Sequence, residues 1–109
     1  MEKLVQINLK FSASRPELEA AWLQAAEPIA AQPGLVWKVW LMNETGREAG
    51  GVYLFESEAA AQAYLDGPIC AALRSSPVVS NISAKMFDVL EPHTAITRGP
   101  VEIKEGSAA

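Results

Sequence analysis

Cys70 and His93 are the single cysteine and the single histidine of this 109-residue chain, and they set the first limits on its chemistry. One cysteine makes an intrachain disulfide impossible, and the pair supplies too few ligands for a Cys/His zinc site. No acidic spacing suggests a carboxylate site, so no metal is expected. A Ser-His-Asp or Cys-His nucleophile would have to recruit His93, which follows Pro92 in a tail segment. Classical hydrolase chemistry is therefore not expected. Nucleotide-binding Gly-rich and metal motifs are also absent.

The side chains that remain able to do chemistry gather in Leu35 to Phe55, LVWKVWLMNETGREAGGVYLF. This stretch holds Trp37, Trp40, Lys38, Tyr53 and the pair Gly50-Gly51. Two strand-forming runs flank Asn43-Glu44-Thr45-Gly46, so the segment reads as a β-hairpin. An even-membered turn would pair Trp40 with Gly51, Lys38 with Tyr53 and Trp37 with Leu54. One face would then be wholly apolar, with Trp37, Val39, Leu41, Val52 and Leu54, and the expectation is that it belongs to the core. The other would gather Lys38, Trp40, Gly51, Tyr53 and Phe55 around a pocket. A three-residue turn with Gly46 left-handed would shift the register and pair Trp37 with Tyr53 instead. Which of Trp37 and Trp40 faces the pocket is thus open at the level of sequence.

The elements that must position these groups are legible on either side. Val5, Ile7, Leu9 and Phe11 alternate with Gln6, Asn8 and Lys10, a strand with one apolar and one mixed face. Ser14 and Glu17 form a capping-box pattern ahead of a helix whose Leu18, Trp22, Ala25 and Ile29 share one side. Pro28 should bend or weaken its last turn, and Pro33-Gly34 ends it. Ser57 caps a second helix, Glu58 to Asp66, which Asp66-Gly67-Pro68 breaks; Ile69 to Ser75 reads as a further turn or two. Val78 to Leu90 is the last strand, alternating Ile82, Ala84 and Met86 with Ser83, Lys85 and Phe87. The order is βαββαβ, which predicts an α+β, ferredoxin-like fold: an antiparallel four-stranded sheet with both helices on one face. Residues 1–92 form the expected domain, and 93–109 a tail that is mobile or wraps a neighbour. If the mixed faces coincide, Asn8, Lys38, Trp40, Tyr53 and Lys85 converge, with Trp22 closing the pocket from the first helix.

Composition excludes several classes of function. Half the residues are hydrophobic, a fifth are charged and the formal net charge is −4, so neither nucleic acid nor an anionic membrane is an expected partner. No apolar run approaches the ~20 residues of a bilayer span. The amino-terminal MEKLVQINLKF lacks the basic start and apolar core of a signal peptide, which predicts a cytoplasmic protein. Apolar residues on both parities of the hairpin are more than a solvent-facing sheet requires, which predicts a homodimer built by packing two sheets face to face.

GLVWKVW at Gly34 to Trp40, EAGGVYLFES at Glu48 to Ser57, AYL at Ala63 to Leu65 and AKMFDVLEP at Ala84 to Pro92 resemble the YdhR-like mono-oxygenases of the dimeric α+β-barrel superfamily. The resemblance runs from about Leu4 to Pro92. It implies a ferredoxin-like protomer whose sheet meets its mate's in a barrel, with a pocket between sheet and helices. Relatives in that superfamily include cofactor-free oxygenases of phenols and anthrones, whose pockets are associated with asparagine, tryptophan and tyrosine. Asn8, Trp37 or Trp40, and Tyr53 supply those types here. The implied function is a cofactor-independent mono-oxygenase joining dioxygen to a small aromatic molecule. Asn8 or Tyr53 would hydrogen-bond the substrate oxyanion, Lys38 or Lys85 would favour its charge, and Trp22, Trp40 and Phe87 would sandwich the ring. The alternative is a non-catalytic or sensory barrel that only binds such a molecule. Haem degradation is disfavoured, because Ser57 to Ser75 offers no axial histidine.

Overall fold

The alternation in the first strand decides which way the sheet faces. In the computed structural model, which describes residues 1–101, β1 spans Lys3–Phe11 and buries Val5, Ile7, Leu9 and Phe11. Asn8 and Lys10 are exposed on the opposite side. Helix α1, Arg15–Ala30, starts where the sequence places it. The Ser14 side chain accepts a hydrogen bond from the Glu17 backbone N–H at 3.3 Å, and its hydroxyl donates to the Glu17 carboxylate at 3.0 Å. The helix continues past Pro28 by two residues and stops before Gly34, whose φ of +81° places it in the left-handed region. A Cβ at Gly34 would also fall 2.5 Å from that of Ala60, so the position requires glycine twice over.

Strands β2, Leu35–Asn43, and β3, Glu48–Phe55, form the hairpin, with Asn43 opposite Glu48. Four residues lie between them, so the turn is even-membered. Arg47, at φ +53°, takes the left-handed position that the odd-turn alternative assigned to Gly46. Trp40–Gly51, Lys38–Tyr53 and Trp37–Leu54 are the pairs that form. A bulge at Val36 puts Leu35 and Trp37 on opposite faces although they are two residues apart. Ser57 then caps α2, Glu58–Leu65, by accepting from the Ala60 N–H. Helix α3, Pro68–Ser75, follows, then β4, Val79–Asp88, and a short α4, Glu91–Ile96.

All strand pairs are antiparallel, in the order β2-β3-β1-β4, giving the α+β ferredoxin-like arrangement. Helices α1, α2 and α3 cover one face. Ile29, Ala61, Tyr64 and Cys70 pack there on Val5, Ile7, Tyr53 and Phe55, while Leu18 joins Leu9, Phe11 and Ala49 at the other end. Burying each of the larger apolar side chains contributes about 1.5–3 kcal/mol relative to leaving it in water. The other face carries no layer from α1, α2 or α3. Among its residues Val39, Leu41 and Phe87 are exposed. The wholly apolar side of the hairpin therefore does not enter the helix-packed core, contrary to expectation. Only its Trp37 end is covered, where Leu54 is fully buried and the Trp37 indole N–H donates to the Pro100 carbonyl at 2.8 Å. The chain beyond α4 thus returns to β2. Residues 102–109, the rest of the expected tail, lie outside the described residues. No helix among the described residues is long and apolar enough to cross a membrane.

Candidate functional site

Pairing β1 with β3 through Val5–Tyr53 and Ile7–Gly51 forces Tyr53 onto the face that β1 turns toward the helices. Pairing β2 with β3 brings Lys38 and Trp40 onto that face as well. Between it and helices α1 and α3 lies a cavity of about 430 Å³. Ile7, Leu9, Leu18, Ile29 and Leu73 form most of its apolar wall; Trp22, Trp40, Tyr53 and Tyr64 add rings, and Lys38 adds an amine. Among the described residues no carboxylate lines it.

Lys38 is the unusual member. Its Nζ lies 3.2 Å from the centroid of the Trp40 ring and 4.4 Å from that of Tyr53. Among the described residues it has neither an ion pair nor a hydrogen bond. Burial penalises the ammonium and lowers the Lys38 pKa to about 7, with the Cys70 thiol acting weakly in the other direction. The two ring faces favour the cation and offset part of that penalty. The amine is therefore divided between neutral and charged forms near neutral pH. Its stem fits because position 51 is glycine: a Cβ there would fall 2.6 Å from Lys38 Cε and 3.3 Å from the edge of Tyr53.

Behind the lysine, the Tyr64 hydroxyl donates to that of Tyr53 at 3.2 Å, and both phenols are buried. Burial pushes Tyr53 up to about 12 and Tyr64 up as well, so both are neutral donors and acceptors at physiological pH. The Cys70 thiol is pushed up for the same reason and is no ready nucleophile. Trp22 and Trp40, with ring centroids 6.0 Å apart, close the cavity toward the β2 edge and also line a second hollow of about 360 Å³ with Leu23, Leu41 and Met42. Among the described residues no group of three His, Cys, Asp or Glu side chains is placed to hold a metal ion.

Of the residues singled out from sequence, Trp22, Lys38, Trp40 and Tyr53 meet at this cavity. Asn8, Trp37, Lys85 and Phe87 do not, and the expected convergence of mixed faces is corrected. Asn8 pairs with Gly50 and Ser83, and Lys85 with Gln6, on the face away from the helices. Trp37 and Phe87 share that face through Leu54 and Leu4. The apolar side of β1 must pack on the helices, so any pocket beneath the helices is lined by that side and not by Asn8. Tyr64 is the chemically capable residue that sequence reasoning passed over. It lies buried on α2, and a phenol on a buried helix face needs a polar partner, which is the signal that could have found it.

Comparison with known proteins bears on this geometry. The sequence profile described as "Putative mono-oxygenase ydhR" matches residues 4–100. Among curated proteins none matches. Among solved structures, the chain is similar to SnoaB, a cofactor-independent oxygenase from Streptomyces nogalater, at 19% identity and TM-score 0.64, over 81% of this chain and 92% of that one. That likeness bears on fold alone. The NE2512 protein of Nitrosomonas europaea, of unknown function, is 25% identical at TM-score 0.66, over 82% and 89% of the two chains. MhuD of Mycobacterium tuberculosis, a heme-degrader with two hemes bound in its active site, is 29% identical at TM-score 0.62, over 80% and 95%.

Proposed function

The chain belongs to the ydhR mono-oxygenase family, and from that premise we propose that it oxygenates a small aromatic substrate of the phenol or anthrone type without metal or organic cofactor. The observation that carries this reading is the placement of Lys38: a partly neutral amine, seated on two aromatic rings, in an apolar cavity that no carboxylate of the described residues lines. A neutral Lys38 amine takes a proton from the substrate, and the resulting ammonium stands beside the anion it has produced. The electron-rich anion reduces dioxygen by one electron, and the radical pair couples to a peroxide anion. Lys38 returns the proton, and the hydroperoxide loses water to leave a carbonyl. For an anthrone the sum is one substrate and one dioxygen to one quinone and one water. Trp22, Trp40 and Tyr53 hold the ring, and the apolar wall keeps water from quenching the anion. Oxygen uptake by metal-stripped protein with a panel of phenols and anthrones tests the reading. Saturable tryptophan quenching without uptake would instead indicate a barrel that only binds.

Haem chemistry after the manner of MhuD does not suit these residues. No histidine lines the cavity, His93 lies on α4, and the phenols and the thiol are all pushed away from the anionic form an iron ligand would need.

The working form we propose is a homodimer with the helix-free sheet faces opposed, as in a dimeric α+β barrel. Val39, Leu41 and Phe87, between 37% and 51% exposed, supply apolar surface for that contact. Asn8, Trp37, Lys85 and Phe87, all within the 1–92 domain, would then belong to the interface. Light scattering should give twice the chain mass at micromolar concentration; the monomer mass would count decisively against the arrangement.

A further inference from the structure

A primary amine held in a largely apolar cavity, with no counter-ion among the described residues, is suited to more than proton transfer. Every other described lysine is engaged or open to water. Lys3 is paired with Asp88 and Glu58, Lys10 donates to the Gly46 carbonyl, and Lys85 is exposed on the helix-free face. Among the described lysines only Lys38 lines the cavity, and its Nζ lies over the faces of Trp40 and Tyr53.

We propose that Lys38 is also a covalent capture site for small apolar carbonyl compounds, forming an imine with an aldehyde lodged against Trp40 and Tyr53. The nitrogen lone pair attacks the carbonyl carbon and the C–N bond forms. The carbonyl oxygen gains a proton, giving a carbinolamine. That oxygen departs as water, the nitrogen gives up its remaining proton, and a neutral imine is left. One aldehyde and one amine thus yield one imine and one water, with no oxidant or reductant required. The apolar wall favours the water-releasing direction and admits a ring more readily than a charged aldehyde. The space that Gly51 leaves lets the lysine stem lie against the strand with its amine toward the cavity.

Lowering the pKa from 10.5 to about 7 raises the neutral fraction at pH 7 by ~10³ over an ordinary lysine. This capture requires no dioxygen, so its outcome is separable from that of the oxygenase reading. The test is anaerobic incubation of the wild-type protein with benzaldehyde and cyanoborohydride at pH 7, followed by peptide mapping. The expected result is a reduced benzyl adduct on Lys38, formed at least ~100-fold faster than on any of the other four lysines, while the exposed Met1 α-amino group, which also condenses with aldehydes at pH 7, is labelled independently. Pre-incubation with toluene, which fills the cavity but cannot condense, should slow that adduct and no other. Labelling that follows surface exposure, an unlabelled Lys38, or indifference to toluene would each overturn the assignment.

Discussion

Replacing Lys38 with methionine should stabilise the protein at neutral pH, and the gain should vanish as the pH rises. The amine titrates at about 7 in the fold against 10.5 for an ordinary lysine, a difference of 10.5 − 7 = 3.5 units. At ~1.36 kcal/mol per unit this sets a ceiling of about 5 kcal/mol on the cost of carrying the charge into the cavity. The amine is only partly buried and the Trp40 and Tyr53 rings favour the cation, so a cost of about 4 kcal/mol, somewhat below that ceiling, is expected. Because the folded pKa is depressed, the unfolded chain binds more protons between pH 7 and 10.5. Wild-type stability attributable to Lys38 therefore climbs across that window and is lost again as the pH falls through 7. Methionine keeps the length and the ring contacts and carries no charge. Urea unfolding at pH 6, 7, 8.5, 9.5 and 10.5 should show the variant more stable by about 4 kcal/mol at pH 6, still ahead by about 1.4 kcal/mol at pH 9.5, and converging on wild type only near pH 10.5. Tyr53, Tyr64 and Cys70 also shift, all upward, and work against stability at high pH, but they are common to both proteins and cancel in the difference. Parallel curves, with a difference independent of pH, would refute the claim that a penalised amine sits in the cavity.

The adjacent glycines should separate cleanly under substitution. Gly50→Ala would place a Cβ 1.9 Å from the Ile7 carbonyl oxygen, which only a shift of β1 could relieve, so a loss of about 3 kcal/mol or more is expected in urea unfolding. Gly51→Ala meets mainly the flexible Lys38 stem; it should cost about 1 kcal/mol but slow turnover by displacing the amine. Tyr64→Phe removes the donor to the Tyr53 hydroxyl and should destabilise by about 1–2 kcal/mol, with a smaller effect from Tyr53→Phe and Tyr64→Phe combined than the two single losses added together.

The fold was legible because each element announces itself locally: period-two alternation in β1, a cap at Ser14, Pro and Gly between α1 and β2. The hairpin itself was readable but its register was not: only the structure, with four residues between Asn43 and Glu48, decides for the pairing of Trp40 with Gly51 over the one-residue shift. What did not follow was the matching of faces across strands that are distant in sequence. Grouping the mixed side of β1 with Lys38 and Tyr53 went against the stronger demand that Val5, Ile7 and Leu9 pack beneath the helices. That demand alone places Asn8 outside the cavity. The bulge at Val36 and the six-residue α4 had no periodic signal to give. The bond of Tyr64 to Tyr53 depends on α2 packing over β3, which is a tertiary fact.

The central claim is that an apolar cavity and one buried amine suffice to bring an aromatic anion to dioxygen. The most direct measurement is oxygen consumption by protein freed of metal and flavin, with an anthrone as substrate, for wild type and Lys38→Met side by side. The account predicts uptake of one dioxygen per quinone formed, with one labelled oxygen retained in the product, and a loss of about 100-fold or more in the variant. No uptake across a broad panel of phenols and anthrones, or equal rates in the two proteins, would contradict it.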